Sequence, residues 1–229
     1  MSLCVRVLLE FHSRLEKRGL TRALALALNA LAGGLVSWDG SRWGKVGGAA
    51  LDGSVTTCLV AHGHLYIAGD FRHVGSLAAQ GLASYDTQLG VWSAAMGAVR
   101  GGTVNAMLWW QDSLVLAGSF TTVGGQEGGQ DDGNAPVAAN GLARWIDGRW
   151  MRMGWIKGSV SALACSDNAC AADGLYVAGS FSTMDSPPAP LLAIFKNGAL
   201  APVNASGDAP TFGRCFICQN CIYRLRVCV

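Results

Sequence analysis

The sequence predicts an all-β fold made of one repeated unit, and three observations carry that prediction. The phrase Leu65-Tyr66-Ile67-Ala68-Gly69-Asp70-Phe71 returns as Leu114-Val115-Leu116-Ala117-Gly118-Ser119-Phe120 and as Leu175-Tyr176-Val177-Ala178-Gly179-Ser180-Phe181. Leu65 to Leu114 is 49 residues and Leu114 to Leu175 is 61, a period suited to units that stack because none can bury both faces of its sheet alone. Within the phrase both alternating faces are apolar, as expected of a sheet sandwiched between neighbouring sheets. Together these predict a partial β-propeller of about three and a half four-stranded blades.

The elements of each unit follow in order. A first strand precedes the phrase as Val55-Thr56-Thr57-Cys58-Leu59, Val104-Asn105-Ala106-Met107-Leu108 and Val160-Ser161-Ala162-Leu163, and the phrase itself is the second. Gly81-Leu82-Ala83-Ser84-Tyr85, Gly141-Leu142-Ala143-Arg144-Trp145 and Leu192-Ala193-Ile194-Phe195 are third strands, followed in two units by Trp92 or Trp150 on the fourth. Gly69, Gly118 and Gly179 recur at one position, which points to a bulge or a close backbone approach, and the Phe two residues later fills space. A partial copy upstream, residues 34–43, matches residues 141–150 and supplies only the third and fourth strands. Asp39-Gly40 and Asp147-Gly148 are two-residue hairpin turns, since turns of the primed type need positive φ. Closed propellers carry four to eight blades, so three and a half reads as a fragment, or as a ring that self-association completes.

The composite Val-x-x-Leu, Leu-Tyr-Val-Ala-Gly-Ser-Phe, Gly-Leu-Ala-x-Trp-x-Asp-Gly-x-Trp resembles the kelch-like repeats of galactose-oxidase-type propellers. It is similar, more closely, to the repeats in the extracellular part of fungal cortical landmark proteins of bud-site selection. The resemblance spans roughly residues 34–203 and implies a propeller with an interaction role at the cell surface or outside the cell. It carries no activity, because no residue here matches the oxidase's copper ligands or its modified cysteine and tyrosine.

Composition narrows the partners. Residues 23–213 hold nine Lys and Arg against thirteen Asp and Glu, whereas basic residues gather at both ends. A mildly acidic body does not suit nucleic acid, which needs clustered cations to displace counterions from phosphate. The longest apolar run, residues 23–32 apart from Asn29, is too short to span a membrane. Residues 1–33 form an N-terminal extension, either helical or signal-like, with Ala30-Leu31-Ala32 resembling a cleavage site. Residues 34–213 hold the repeats, and residues 214–229 are a Cys-rich tail.

In that tail Cys215, Cys218, Cys221 and Cys228 are metal-ligand candidates, because a two-residue spacer lets two thiolates reach one zinc or iron–sulfur centre from a tight turn. The spacing fits neither centre fully, and a non-native tail is the competing reading. Cys165 and Cys170 are placed to close a disulfide across a turn, and Asn204-Ala205-Ser206 is a glycosylation acceptor pattern; both lean towards an oxidising compartment. Cys58 reads as a core thiol, and Cys4 is unassigned.

The remaining candidates read as structural. His62-Gly63-His64 occupies the turn where the next unit has Gln111-Asp112-Ser113, so it is a surface turn rather than a metal site. His12 and His73 have no evident partner. The insertion Gly124–Asn134 offers Asp, Glu and Asn oxygens for calcium but lacks an EF-hand spacing, and reads as a solvated loop available to a partner. Asp70 stands where Ser119 and Ser180 stand, either facing a central channel or bonding a turn. No catalytic residue and no cofactor is assigned. These readings meet in a non-catalytic recognition or scaffold domain, secreted or at the cell surface, with a protein or glycan partner. The alternative is an enzyme on the same scaffold, with its catalytic groups in loops or in missing blades.

Overall fold

A computed structural model describes residues 35–38, 43–125, 135–165, 170, 174–183 and 192–203. The expectations for residues 1–33 and 214–229, for Asp39-Gly40, for residues 126–134 and for Asn204 lie outside these. The described chain is all-β, a partial β-propeller whose strands form small antiparallel sheets. It divides into two compact units, Met1–Ala95 and Met96–Val229.

The first unit begins with a two-stranded hairpin, β1 (Val36–Trp38) and β2 (Trp43–Lys45), followed by a 3-10 turn over Val46–Gly48. A complete blade follows. β3 (Ser54–Ala61) and β4 (His64–Asp70) are joined through His62-Gly63; the two-residue strands β5 (His73–Val74) and β6 (Leu77–Ala78) come next, then β7 (Leu82–Asp86) and β8 (Val91–Ser93). Its sheet runs β3-β4-β7-β8, each strand beside its neighbour in sequence apart from the inserted pair.

The second unit holds β9 (Val99–Arg100), β10 (Val104–Trp110), β11 (Ser113–Gly118), β12 (Thr122–Val123), β13 (Val137–Ala138), β14 (Leu142–Ile146) and β15 (Arg149–Arg152). It ends with β16 (Ile156–Cys165), β17 (Leu175–Thr183), β18 (Leu192–Lys196) and β19 (Ala199–Pro202). Two sheets, β10-β11-β14-β15 and β16-β17-β18-β19, repeat the blade of the first unit.

The local causes are visible in the turns. His62-Gly63, Gln111-Asp112, Asp147-Gly148 and Asn197-Gly198 each place two successive residues at positive φ, between 45° and 77°, the geometry that matches the twist of a tight hairpin. In β11 the second strand is buried on both faces as its composition predicts, with Leu114, Val115, Leu116 and Ala117 all fully buried, whereas in β4 and β17 one face is buried through Leu65, Ile67, Leu175 and Val177 and the other leaves Tyr66 and Tyr176 half-buried. Each such Leu or Val contributes roughly 1.5–3 kcal/mol of transfer free energy. In the first unit Leu35 and Val46 of the hairpin segment join Val55, Leu65, Ile67 and Phe71 of the blade in one core. In the second, Trp110, Val115 and Ala117 pack with Val160, Leu163 and Val177, so adjoining blades share an apolar seam.

Aromatic pairs close the outer hairpins. Tyr85 and Trp92 lie opposite each other with ring centroids 5.0 Å apart, and Trp145 and Trp150 do the same at 5.1 Å. Both outer indoles also donate a hydrogen bond, Trp92 Nε1 to the Val46 carbonyl at 3.3 Å and Trp150 Nε1 to the Met96 carbonyl at 2.6 Å. Leu200 takes that position opposite Phe195 in the last blade.

The structure adds short strands that the repeat alignment does not anticipate. β9, β12 and β13 form a three-stranded sheet at one end of their blade. The first unit builds the same device from a Leu51–Val74 bridge and the β5–β6 pair.

Candidate functional site

The recurring glycine of the second strand creates the most distinctive local geometry. In each blade the first strand is bulged opposite it, with the register slipping between Val55 and Thr57, Val104 and Ala106, and Val160 and Ala162. A Cβ on Gly69, Gly118 or Gly179 would collide with the carbonyl oxygen of Ser54, Thr103 or Ser159, so only glycine lets the bulged strand come this close.

The bulge re-aims three small polar side chains per blade. They are Ser54, Thr56 and Asp70; Thr103, Asn105 and Ser119; and Ser159, Ser161 and Ser180. Most are exposed, although Thr56, Ser119 and Ser159 are half-buried. In the second unit the set is wired across two blades. The Thr103 N–H donates to Ser119 Oγ at 3.1 Å, Thr103 Oγ1 donates to Asn105 Oδ1 at 3.1 Å, and Asn105 Nδ2 donates to Ser159 Oγ at 3.1 Å and to the Val160 carbonyl at 2.8 Å. Asn105→Ala is expected to lower stability by about 1 kcal/mol, the net worth of neutral hydrogen bonds at a wet site. Ser161→Ala at the equivalent bulge should change it far less; paired urea titrations check both.

Asp70 ends β4 in an exposed position, on the polar rim of its blade. His62 is an exposed turn residue, and His64 Nε2 lies 3.6 Å from Asp86 Oδ2, so the pair of histidines belongs to a hairpin end. Among the described residues no group of three or more His, Cys, Asp or Glu is placed to hold a metal ion. Cys215, Cys218, Cys221 and Cys228 lie outside the described residues. Cys165 and Cys170 are bonded to each other, as their spacing across a turn suggests.

The expectation that His73 lacks a partner is corrected. His73 Nδ1 stands 2.8 Å from Asp52 Oδ2, and Asp52 Oδ1 accepts the backbone N–H groups of Arg72 and His73 at 2.8 and 2.9 Å. Asp52 thus staples the chain entering β3 to the β5 strand 21 residues later, a contact that no local sequence pattern signals. The His73 backbone donor, then the His73 ring and the Arg72 backbone donor, hold its carboxyl down at about 2, below the ordinary aspartate value of 3.8. A carboxylate with a depressed folded pKa adds stability that is complete above its unfolded pKa and lost as pH falls through the folded one. The wild type should therefore lose stability between about pH 4 and pH 2 in a way that Asp52→Asn does not, read from denaturation midpoints at each pH.

A second unforeseen cluster centres on Arg144, which stands where its sibling strands carry Ser84 and Ile194. Its Nε donates to Ser113 Oγ at 2.6 Å, its Nη2 donates to the Gln111 carbonyl at 2.9 Å, and its guanidinium lies 5.1 Å from the Trp110 ring centroid. The Gln111 N–H in turn donates to the Cys170 carbonyl at 3.1 Å. The disulfide of the last blade is thereby tied to the turn of the blade before it.

Four-stranded antiparallel meanders with a bulged first strand and polar residues along its edge define a β-propeller protein, here in partial form. Residues 50–128, about a third of the chain, match the family model described as the Rax2 C-terminal beta propeller domain. The match covers the first complete blade and runs through β12, and it supports a β-propeller repeat. No curated protein matches the chain. Among the described residues no helix is long and apolar enough to cross a membrane.

Proposed function

We propose that this chain is a non-catalytic recognition or scaffold module of a β-propeller protein at the cell surface. The observation that carries the reading is the polar set repeated at each first-strand bulge, in which small hydroxyl and amide groups recur at Thr103, Asn105, Ser159, Ser161 and Ser180. Apart from Asp70 these are neutral donors and acceptors on rigid sheets, which suit a hydrogen-bonding partner, a glycan or a polar protein loop, because neither demands a charge. The match to a propeller from a fungal cortical, bud-site protein agrees with a scaffold role at the cell periphery.

The test is direct binding of the purified chain to neutral cell-wall oligosaccharides and to surface-protein extracts, beside a double variant Ser161→Ala, Ser180→Ala. Saturable binding that the double variant weakens by tenfold or more is the expected result. Binding that ignores these hydroxyls would remove the basis of the reading.

A further inference from the structure

The chain holds two Asn-Gly pairs, Asn140-Gly141 and Asn197-Gly198. Both asparagines take positive φ, at 45° and 52°, and their glycines follow at 86° and 77°. Their surroundings differ. Asn140 is half-buried between β13 and β14, and Gly141 is buried. The Asn140 N–H donates to the Thr121 carbonyl at 3.2 Å, and the Gly141 carbonyl accepts the Gly118 N–H at 2.9 Å. A Cβ on Gly141 would fall 2.7 Å from the Gly118 carbonyl oxygen, so this backbone is packed tightly against β11. Asn197-Gly198, by contrast, is the two-residue turn between β18 and β19, closed by the Lys196–Ala199 pair. Lys196, Asn197, Gly198 and Ala199 are all exposed, and a Cβ on Gly198 meets nothing within 4 Å.

An asparagine side chain is open to attack by the backbone nitrogen of the next residue, most readily when that residue is glycine, which has no Cβ to crowd the nitrogen. The five-membered imide that forms eclipses Cβ with that nitrogen and sets ψ at about −120°; with φ positive, these are the dihedrals of the first central residue of a type II′ turn. Types I′ and II′ both close two-residue hairpins, and they differ by rotation of the one peptide plane between the central residues. At Asn197-Gly198 that plane faces water, so the rotation leaves the Lys196–Ala199 pair in place. At Asn140-Gly141 it is flanked by two backbone hydrogen bonds and wedged against Gly118.

We propose that Asn197 is a self-modifying site, converting through a cyclic imide to aspartate and isoaspartate. Gly198 N bonds to Asn197 Cγ, the Cγ–Nδ2 bond breaks, and the nitrogen leaves as ammonia carrying the Gly198 amide proton. Water then opens the imide at either carbonyl. One water enters and one ammonia departs, with no oxidant or cofactor. The aspartate product reproduces Asp147-Gly148, the corresponding turn of the preceding blade at φ 50° and 75°, so the hairpin accepts it. The isoaspartate product adds one atom to the loop backbone and puts a free carboxylate beside Lys196. This inference rests on the hairpin turn and is independent of the polar rim.

The test is incubation of the full chain at neutral pH in heavy-oxygen water, followed by peptide mass mapping and methyl transfer with a protein-isoaspartate methyltransferase. Asn197 is expected to take up label at least tenfold faster than Asn140 and to yield methylatable isoaspartate. Equal rates, a faster Asn140, or no label at Asn197 would overturn the proposal. In urea the two rates should converge, because both sites are then plain Asn-Gly; a gap that survives unfolding would remove the structural cause and the proposal with it. Asn197→Asp is expected to keep the wild-type urea midpoint, and a clearly lowered one would show that the turn rejects the product.

Discussion

Replacing Phe120 with alanine is expected to cost about 3–5 kcal/mol, the range for deleting a fully buried phenyl ring that its surroundings cannot collapse around. Phe120 is 0% exposed and sits two residues beyond the end of β11, where the chain leaves the sheet. Phe181, at the same position of the last blade, is 9% exposed, so its alanine variant should cost less. Urea denaturation of both variants checks the order as well as the size. An unchanged midpoint for Phe120→Ala would mean that the ring does not fill the space the repeat assigns to it.

Gly118→Val is expected to cost about 3 kcal/mol, the upper end of the range for overpacking, for a different reason. Its Cβ would fall on the Thr103 carbonyl, which is backbone and cannot rotate away, so β10 must shift or the bulge must be lost. Loss of the bulge would also pull Asn105 off Ser159 and Val160 in the neighbouring blade. Gly44→Val is the control, since a Cβ there meets nothing within 4 Å. Denaturation midpoints should separate the two valine variants clearly. Amide exchange in the Gly118 variant should rise along β10 and β16 together.

Most of the fold is legible in the sequence because the second strand of each blade lies in the core, where Leu65, Leu114 and Leu175 are fully buried, and its phrase therefore varies little between copies. The turns are legible where Asp-Gly marks them, and less so at Gln111-Asp112, where neither residue is glycine yet both take positive φ. The two-residue strands at the blade ends escape sequence reading because they are too short to show any periodicity. The polar set at the bulge leaves a faint trace, a polar residue after the first valine in Thr56, Asn105 and Ser161. That trace gains meaning only once the register slip places the glycine opposite. Asp52 and His73 are joined by the folding of a blade end, and Arg144 by a turn some 30 residues away, so neither pairing has a local signal.

The outermost strands bear on how such a protein stays discrete. β15 is four residues long with an arginine at each end, and β19 closes on a proline, which has no N–H to offer a neighbour. A rim guarded in this way resists sideways polymerisation into a ribbon.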